Sequence, residues 1–185
     1  KSLKEAQKNM VSYGFGFLPV FTTPTSTGVV NVGSIYVSAN GQHTLQCKRY
    51  NIGAGGISAF GTAITAAASV NCIAFAEGVT VGATADWTVY MPTNSPNFKL
   101  DIPGNATLDT DGHVVTFKAP LTGAGTLALS DDTIVDLSYI AETVKFAPAA
   151  GATINLPDSG STYALRAIGG AGTIGSNYVK AALRS

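Results

Sequence analysis

The sequence predicts an all-β solenoid body behind an unlike N-terminal segment, and three observations carry that expectation. First, apolar residues recur about every nineteen positions: Val89, Leu108, Leu127, Phe146 and Leu165 form one series. Val79, Phe98, Phe117, Leu137 and Leu156 form a second, with one step of twenty. A repeat of this length suits one circuit of a stacked array, in which inward side chains of each circuit cover the last. Second, both series sit in short strand-like runs separated by Gly, Pro and Asp. Third, charge is sparse, at 12% of 185 residues, where about 25% is usual for a soluble domain. Eleven basic residues balance eleven acidic ones, so there is no electrostatic footprint for nucleic acid or an anionic membrane. Low charge with 21 glycines suits a chain that buries surface against copies of itself.

Three segments follow in order. Residues 1–28 read as an N-terminal helix or arm for docking. Ser2-Leu3-Lys4-Glu5 matches a capping box, and Leu3, Ala6 and Met10 fall at helical spacing. Tyr13 to Phe21 alternates glycine with aromatics, and Pro19 and Pro24 bar a regular helix. As an arm, the segment offers Leu3, Met10, Tyr13, Phe15, Phe17 and Phe21 for assembly; a disordered terminus over residues 1–12 and an edge strand of the chain's own core over 13–21 are the alternatives. Residues 29–167 form the β body, and 168–185 a C-terminal cap or tail that covers the last exposed strand edges.

Within the body, Ile35 and Val37 mark a strand, and Asn40-Gly41 is the strongest hairpin signal because both residues tolerate positive φ. Asn51 to Ala76 has no charged residue, but its Gly, Ala, Ser and Thr content favours close packing over a membrane span. Further strands are expected at Trp87–Tyr90, Phe98–Ile102, His113–Lys118, Thr126–Leu129, Thr133–Leu137, Thr143–Phe146 and Thr153–Leu156. The intervening clusters, among them Pro103-Gly104-Asn105, Asp109 to Gly112 and Ser130-Asp131-Asp132, read as turns. The expected architecture is a parallel β-helix, with stacking from about Val79 to Leu165, or from as far back as Phe60, and not in the first fifty residues. Many short strands also suit a β-sandwich or jelly roll. A solenoid pairs residue i with about i+19 in parallel, whereas a sandwich pairs neighbours antiparallel.

Asp101 to Leu156, with runs such as GHVVTFKAPLTGAGTLALSDDTIVDLS, resembles right-handed parallel β-helix proteins. Among these are phage tailspikes, related virion surface proteins and autotransporter passenger domains. Leu121 to Leu127 looks like the passenger repeat, in which a Gly-x-Gly turn precedes a strand. The chain is shorter than those proteins and shows no transporter barrel. A short, low-charge body with an arm looks more like a virion accessory protein, either a capsid decoration protein or a spike or fibre component. The resemblance implies a non-enzymatic homotrimer on the virion surface, bound to shell or tail proteins through its arm. A bacterial cell-surface adhesin that binds a host glycan or receptor is the alternative, and a polysaccharide-degrading tailspike a further one.

Chemistry is weakly signalled. No nucleophile elbow, phosphate loop or zinc motif occurs, and no cofactor or metal is expected. The candidate paired carboxylates are Asp109, Asp111, Asp131, Asp132 and Asp136; local turn capping explains them more simply than glycosidic cleavage or Ca²⁺ binding. His43 and His113 stand apart from any evident ligand set. Trp87, Tyr90 and Tyr139 would stack a sugar only if exposed, and core or interface is the simpler role. Cys47 and Cys72 are expected to be unpaired, buried thiols.

Overall fold

Val115 and Phe117 point inward from one short strand, while Val114, Thr116 and Lys118 lie at its surface. Side chains of successive strand residues leave opposite faces, so each such run contributes an inward pair and an outward polar set. The computed structural model uses that unit throughout; it describes residues 26–37, 41–59, 71–90, 98–138, 144–155, 163–168, 173–174 and 181–184.

The described residues form seventeen strands, grouped into one 13-stranded and one four-stranded sheet. Two long strands begin the larger sheet, β1 (Ser26–Val37) and β3 (Cys47–Ala59). The first half of β3 pairs with β5 (Thr80–Ala83) and its second half with β6 (Trp87–Tyr90). From there the sheet continues as two rows. One is β5, β8 (Asn105–Asp109), β11 (Thr126–Leu129), β13 (Lys145–Pro148), β15 (Tyr163–Ile168) and β17 (Ala181–Arg184). The other is β6, β9 (Val114–Lys118), β12 (Ile134–Leu137), β14 (Thr153–Asn155) and β16 (Thr173–Ile174). A third row, the smaller sheet, holds β2 (Gly41–Leu45), β4 (Asn71–Phe75), β7 (Phe98–Asp101) and β10 (Leu121–Thr122). From β4 to β12 the chain visits third, first and second rows in rotation.

Every strand pairing among the described residues is parallel. The antiparallel neighbours of a sandwich are not seen among them. The hairpin expected at Asn40-Gly41 does not form: β1 pairs with β3, and β2 pairs with β4 in the other sheet. The positive-φ tolerance that suits a hairpin suits any sharp change of direction. Parallel stacking also reaches further back than expected, to Ser26 opposite Cys47.

The nineteen-residue step is confined to one stretch. Leu127 lies opposite Phe146 and Val135 opposite Ile154. Phe117 faces Leu137, as the twenty-residue step requires. Leu108, however, pairs with Val81 and Leu129, and Val89 with Phe117. The circuits differ in length mainly where the second row leads into the third. That connection takes residues 60–70 between β3 and β4 and 91–97 between β6 and β7, but only 119–120 between β9 and β10. Longer connections cost little, since loop-closure entropy grows only logarithmically with length. The strand register is therefore kept by packing and not by residue count.

The inward residues make one hydrophobic cluster, with Phe75, Phe98, Phe117 and Phe146 fully buried. The corners are built differently. At the third-to-first corner, Gly125 donates its N–H to the carbonyl of Ile102 at 2.8 Å, and its own carbonyl accepts from Lys145 at 3.0 Å. A Cβ on Gly125 would overlap the carbonyl oxygen of Gly104 and stand 2.5 Å from that of Ile102. Gly123 adds a φ of +99°, a left-handed conformation that glycine adopts at no steric cost. At the first-to-second corner the turns after β8 and β11 each bury a threonine, Thr110 and Thr133. Thr133 Oγ1 accepts the N–H of Thr110 and donates to the carbonyl of Leu108, both at 3.2 Å. Thr110 Oγ1 accepts the N–H of Ile134 at 3.2 Å. Buried corner amides are thus satisfied by side-chain hydroxyls, which avoids the cost of an unpaired polar group.

Candidate functional site

The first-to-second corner also holds most of the candidate carboxylates. Asp111 and Asp132 both have positive φ, 49° and 61°, Asp111 as the first and Asp132 as the second central residue of successive turns, so that Asp132 stands where the earlier turn has Gly112. Aspartate enters this region more readily than most residues because its short side chain can bond locally. The N–H of Gly112 reaches the carbonyl of Asp132 at 2.9 Å, so each turn is tied to the next. Asp111, Gly112, Asp132, Ile134, Gly151 and Thr153 line a shallow open groove there.

The other candidate carboxylates are engaged in structural ties. Asp131 Oδ1 accepts the N–H of Gly151 at 3.2 Å. Asp136 Oδ1 accepts from Asn155 Nδ2 at 2.7 Å, across one step of the second row. Asp109 forms an ion pair with Arg49 at 2.8 Å. That pair spans two strand steps, from β3 to β8, over the bare position of Gly82 in β5. A Cβ on Gly82 would stand 2.8 Å from Arg49 Nη2 and from Asn51 Oδ1. Arg49 Nε also donates to Asn51 Oδ1 at 2.7 Å, and Asn51 Nδ2 to Asn31 Oδ1 at 2.8 Å. One polar chain therefore crosses four strands. Sequence reasoning missed it because Arg49 and Asp109 are 60 residues apart.

His113, for which the sequence shows no evident ligand set, has its Nδ1 3.5 Å from Asp86 Oδ1. The same Asp86 oxygen accepts the N–H of Val114 at 2.9 Å, so it caps the start of β9. His43 is buried in β2. Among the described residues no three His, Cys, Asp or Glu side chains are grouped to hold a metal ion. No helix among them is long and apolar enough to cross a membrane. The sugar platform does not assemble as a set: Trp87 is buried in the core, and Tyr139 lies outside the described residues. Tyr90 is exposed, and so is Tyr36. Tyr36, Ser58, Tyr90 and Lys118 occupy one register column across β1, β3, β6 and β9. Leu3, Met10, Tyr13, Phe15, Phe17 and Phe21 all lie outside the described residues.

Cys47 and Cys72 are both free, Cys72 buried and Cys47 half-buried. Burial, reinforced by the neighbouring Asp101 carboxylate, pushes the Cys72 thiol up from 9.0 to about 12. Only the thiolate is nucleophilic, so Cys72 is inert at neutral pH. In a thiol titration with a disulfide reagent, the native protein should present Cys47, with Cys72 slower by about a hundredfold or more. Two equally fast thiols in the native protein would contradict this burial.

Tyr50 Oη, in β3, accepts the N–H groups of Gln46 and Cys47 at 2.9 and 3.0 Å. Burial raises its phenol from 10.0 to about 12. Between those values the unfolded chain releases the proton while the folded chain keeps it, so folding weakens as pH rises. Stability should hold up to about pH 9, then fall by about 2–3 kcal/mol by about pH 12 through Tyr50 alone. Urea denaturation across that range, with Tyr50→Phe as reference, measures the loss. No protein-family model, curated protein or solved structure matches this chain in sequence or fold comparison.

Proposed function

We propose that the chain is a non-enzymatic structural protein of a virion surface. In this reading it is a parallel β-helix, carried behind an N-terminal docking arm and assembled as a homotrimer. The observation that supports this most is where the polar side chains are spent. Asp136 with Asn155 ties neighbouring strands, Arg49 with Asp109 ties strands two steps apart, and Thr110 with Thr133 ties successive corners. Such ties serve cohesion along a stack, as expected of a part whose work is mechanical. Sedimentation equilibrium of the full chain tests the assembly, with a trimer expected and a monodisperse monomer overturning it.

The second reading, a glycan-binding adhesin, draws on Tyr36 and Tyr90. Their ladder positions are two strand steps apart, roughly 10 Å, a span that suits two stacked sugar rings. Glycan-array binding that is lost in Tyr90→Ala while the fold is kept would favour it over the purely structural role.

A further inference from the structure

We propose that Asp111 is a site of spontaneous aspartyl isomerisation, held in check by the hydrogen bond that ties Gly112 to the next turn. The chemistry needs only the pair itself and water. The Gly112 amide nitrogen, on losing its proton, attacks the γ-carboxyl carbon of Asp111. The tetrahedral intermediate expels one oxygen as water and closes a succinimide. Water then opens the ring at either carbonyl. Opening at the α-carbonyl leaves the main chain running through the β-carbon as isoaspartate, with no net change in atoms or electrons.

Two features of the pair favour the reaction and one opposes it. Gly112 has no side chain to hinder its nitrogen, and both residues are exposed at the rim of the open groove. The opposing feature is the Gly112 nitrogen itself, which donates to the carbonyl of Asp132 at 2.9 Å. That bond withholds both the proton to be lost and the freedom to approach the carboxyl carbon. The turn is fixed on either side as well: Thr110 bonds to Thr133, and the N–H of His113 donates to the carbonyl of Thr110 at 3.0 Å. Reaction therefore requires the corner to open first. Once formed, isoaspartate adds a methylene to the main chain between Thr110 and Gly112. The two N–H groups that bind the next turn would then no longer share its spacing, so the lesion would make the corner easier to open again.

The test uses the full chain carrying Asn40→Gln, because Asn40-Gly41 is a second succinimide-forming pair in the sequence. Samples are aged at neutral pH, native and in urea. Isoaspartate is counted by enzymatic methylation and located by electron-transfer fragmentation. Isoaspartate at position 111 should build up in urea and form at least about tenfold more slowly in the native chain. Thr133→Val, which removes hydroxyl bonds from the corner, should raise the native rate about fivefold or more and leave the urea rate unchanged. Asp111→Glu should abolish the signal. Equal native and urea rates, an unchanged native rate in a folded Thr133→Val, or no isoaspartate at 111 in urea would each overturn the proposal. If Thr133→Val fails to fold, the comparison of native and urea samples decides alone.

Discussion

Gly125→Ala should destabilise the protein by about 3 kcal/mol or more, for the addition of a single methyl group. The new Cβ would overlap the Gly104 carbonyl oxygen and stand 2.5 Å from that of Ile102. Both obstacles are main chain, so no side chain can swing aside to relieve them. Moving Gly125 instead would lengthen its N–H bond to Ile102 and the bond from Lys145 to its carbonyl, 2.8 and 3.0 Å in the native corner. The neighbouring Ala124 is exposed, and Ala124→Ser should change stability by no more than about 0.5 kcal/mol. Urea midpoints for the two variants check the contrast. A Gly125→Ala protein as stable as the parent would mean that the corner is looser than described.

Phe117→Ala should cost about 3–5 kcal/mol. Its ring is fully buried in β9, between Val89 of β6 and Leu137 of β12 in the ladder. Strands on both sides fix the backbone by parallel pairing, so the hole cannot close by a shift of one element. The loss therefore combines the transfer energy of the ring with the energy of a persisting cavity. Phe117→Leu refills most of the volume and should cost less than about 1.5 kcal/mol. Denaturant unfolding of the pair measures both, and equal losses would contradict a rigid site.

Much of the strand content was legible because alternation survives in short runs. Trp87–Tyr90 and Thr126–Leu129 match β6 and β11 residue for residue. The strand Asn105–Asp109 was not legible, since Asn, Thr and Asp at its outward positions look like turn residues. Only Ala106 and Leu108 mark its inward face. Register was less legible still. Counting residues between apolar positions assumes circuits of equal length, and residues 60–70 and 91–97 break that assumption. The Arg49–Asp109 tie and the closeness of Asp86 to His113 follow from register, so neither was visible before it was known. The carboxylates were legible as residues and their roles as caps were legible in outline, but not which oxygen meets which amide.

The uneven connection between the second and third rows bears on what this scaffold could carry. Three successive passages there differ widely in length, yet Val89 still meets Phe117 and Ile73 still meets Leu100. An epitope or affinity peptide spliced between Tyr90 and Phe98 would therefore leave the register on either side undisturbed. The same insertion between Leu108 and Val114 would sever the threonine corner. The expected contrast between these two insertions, read by the stability of each chimera, would guide use of the molecule as a display platform.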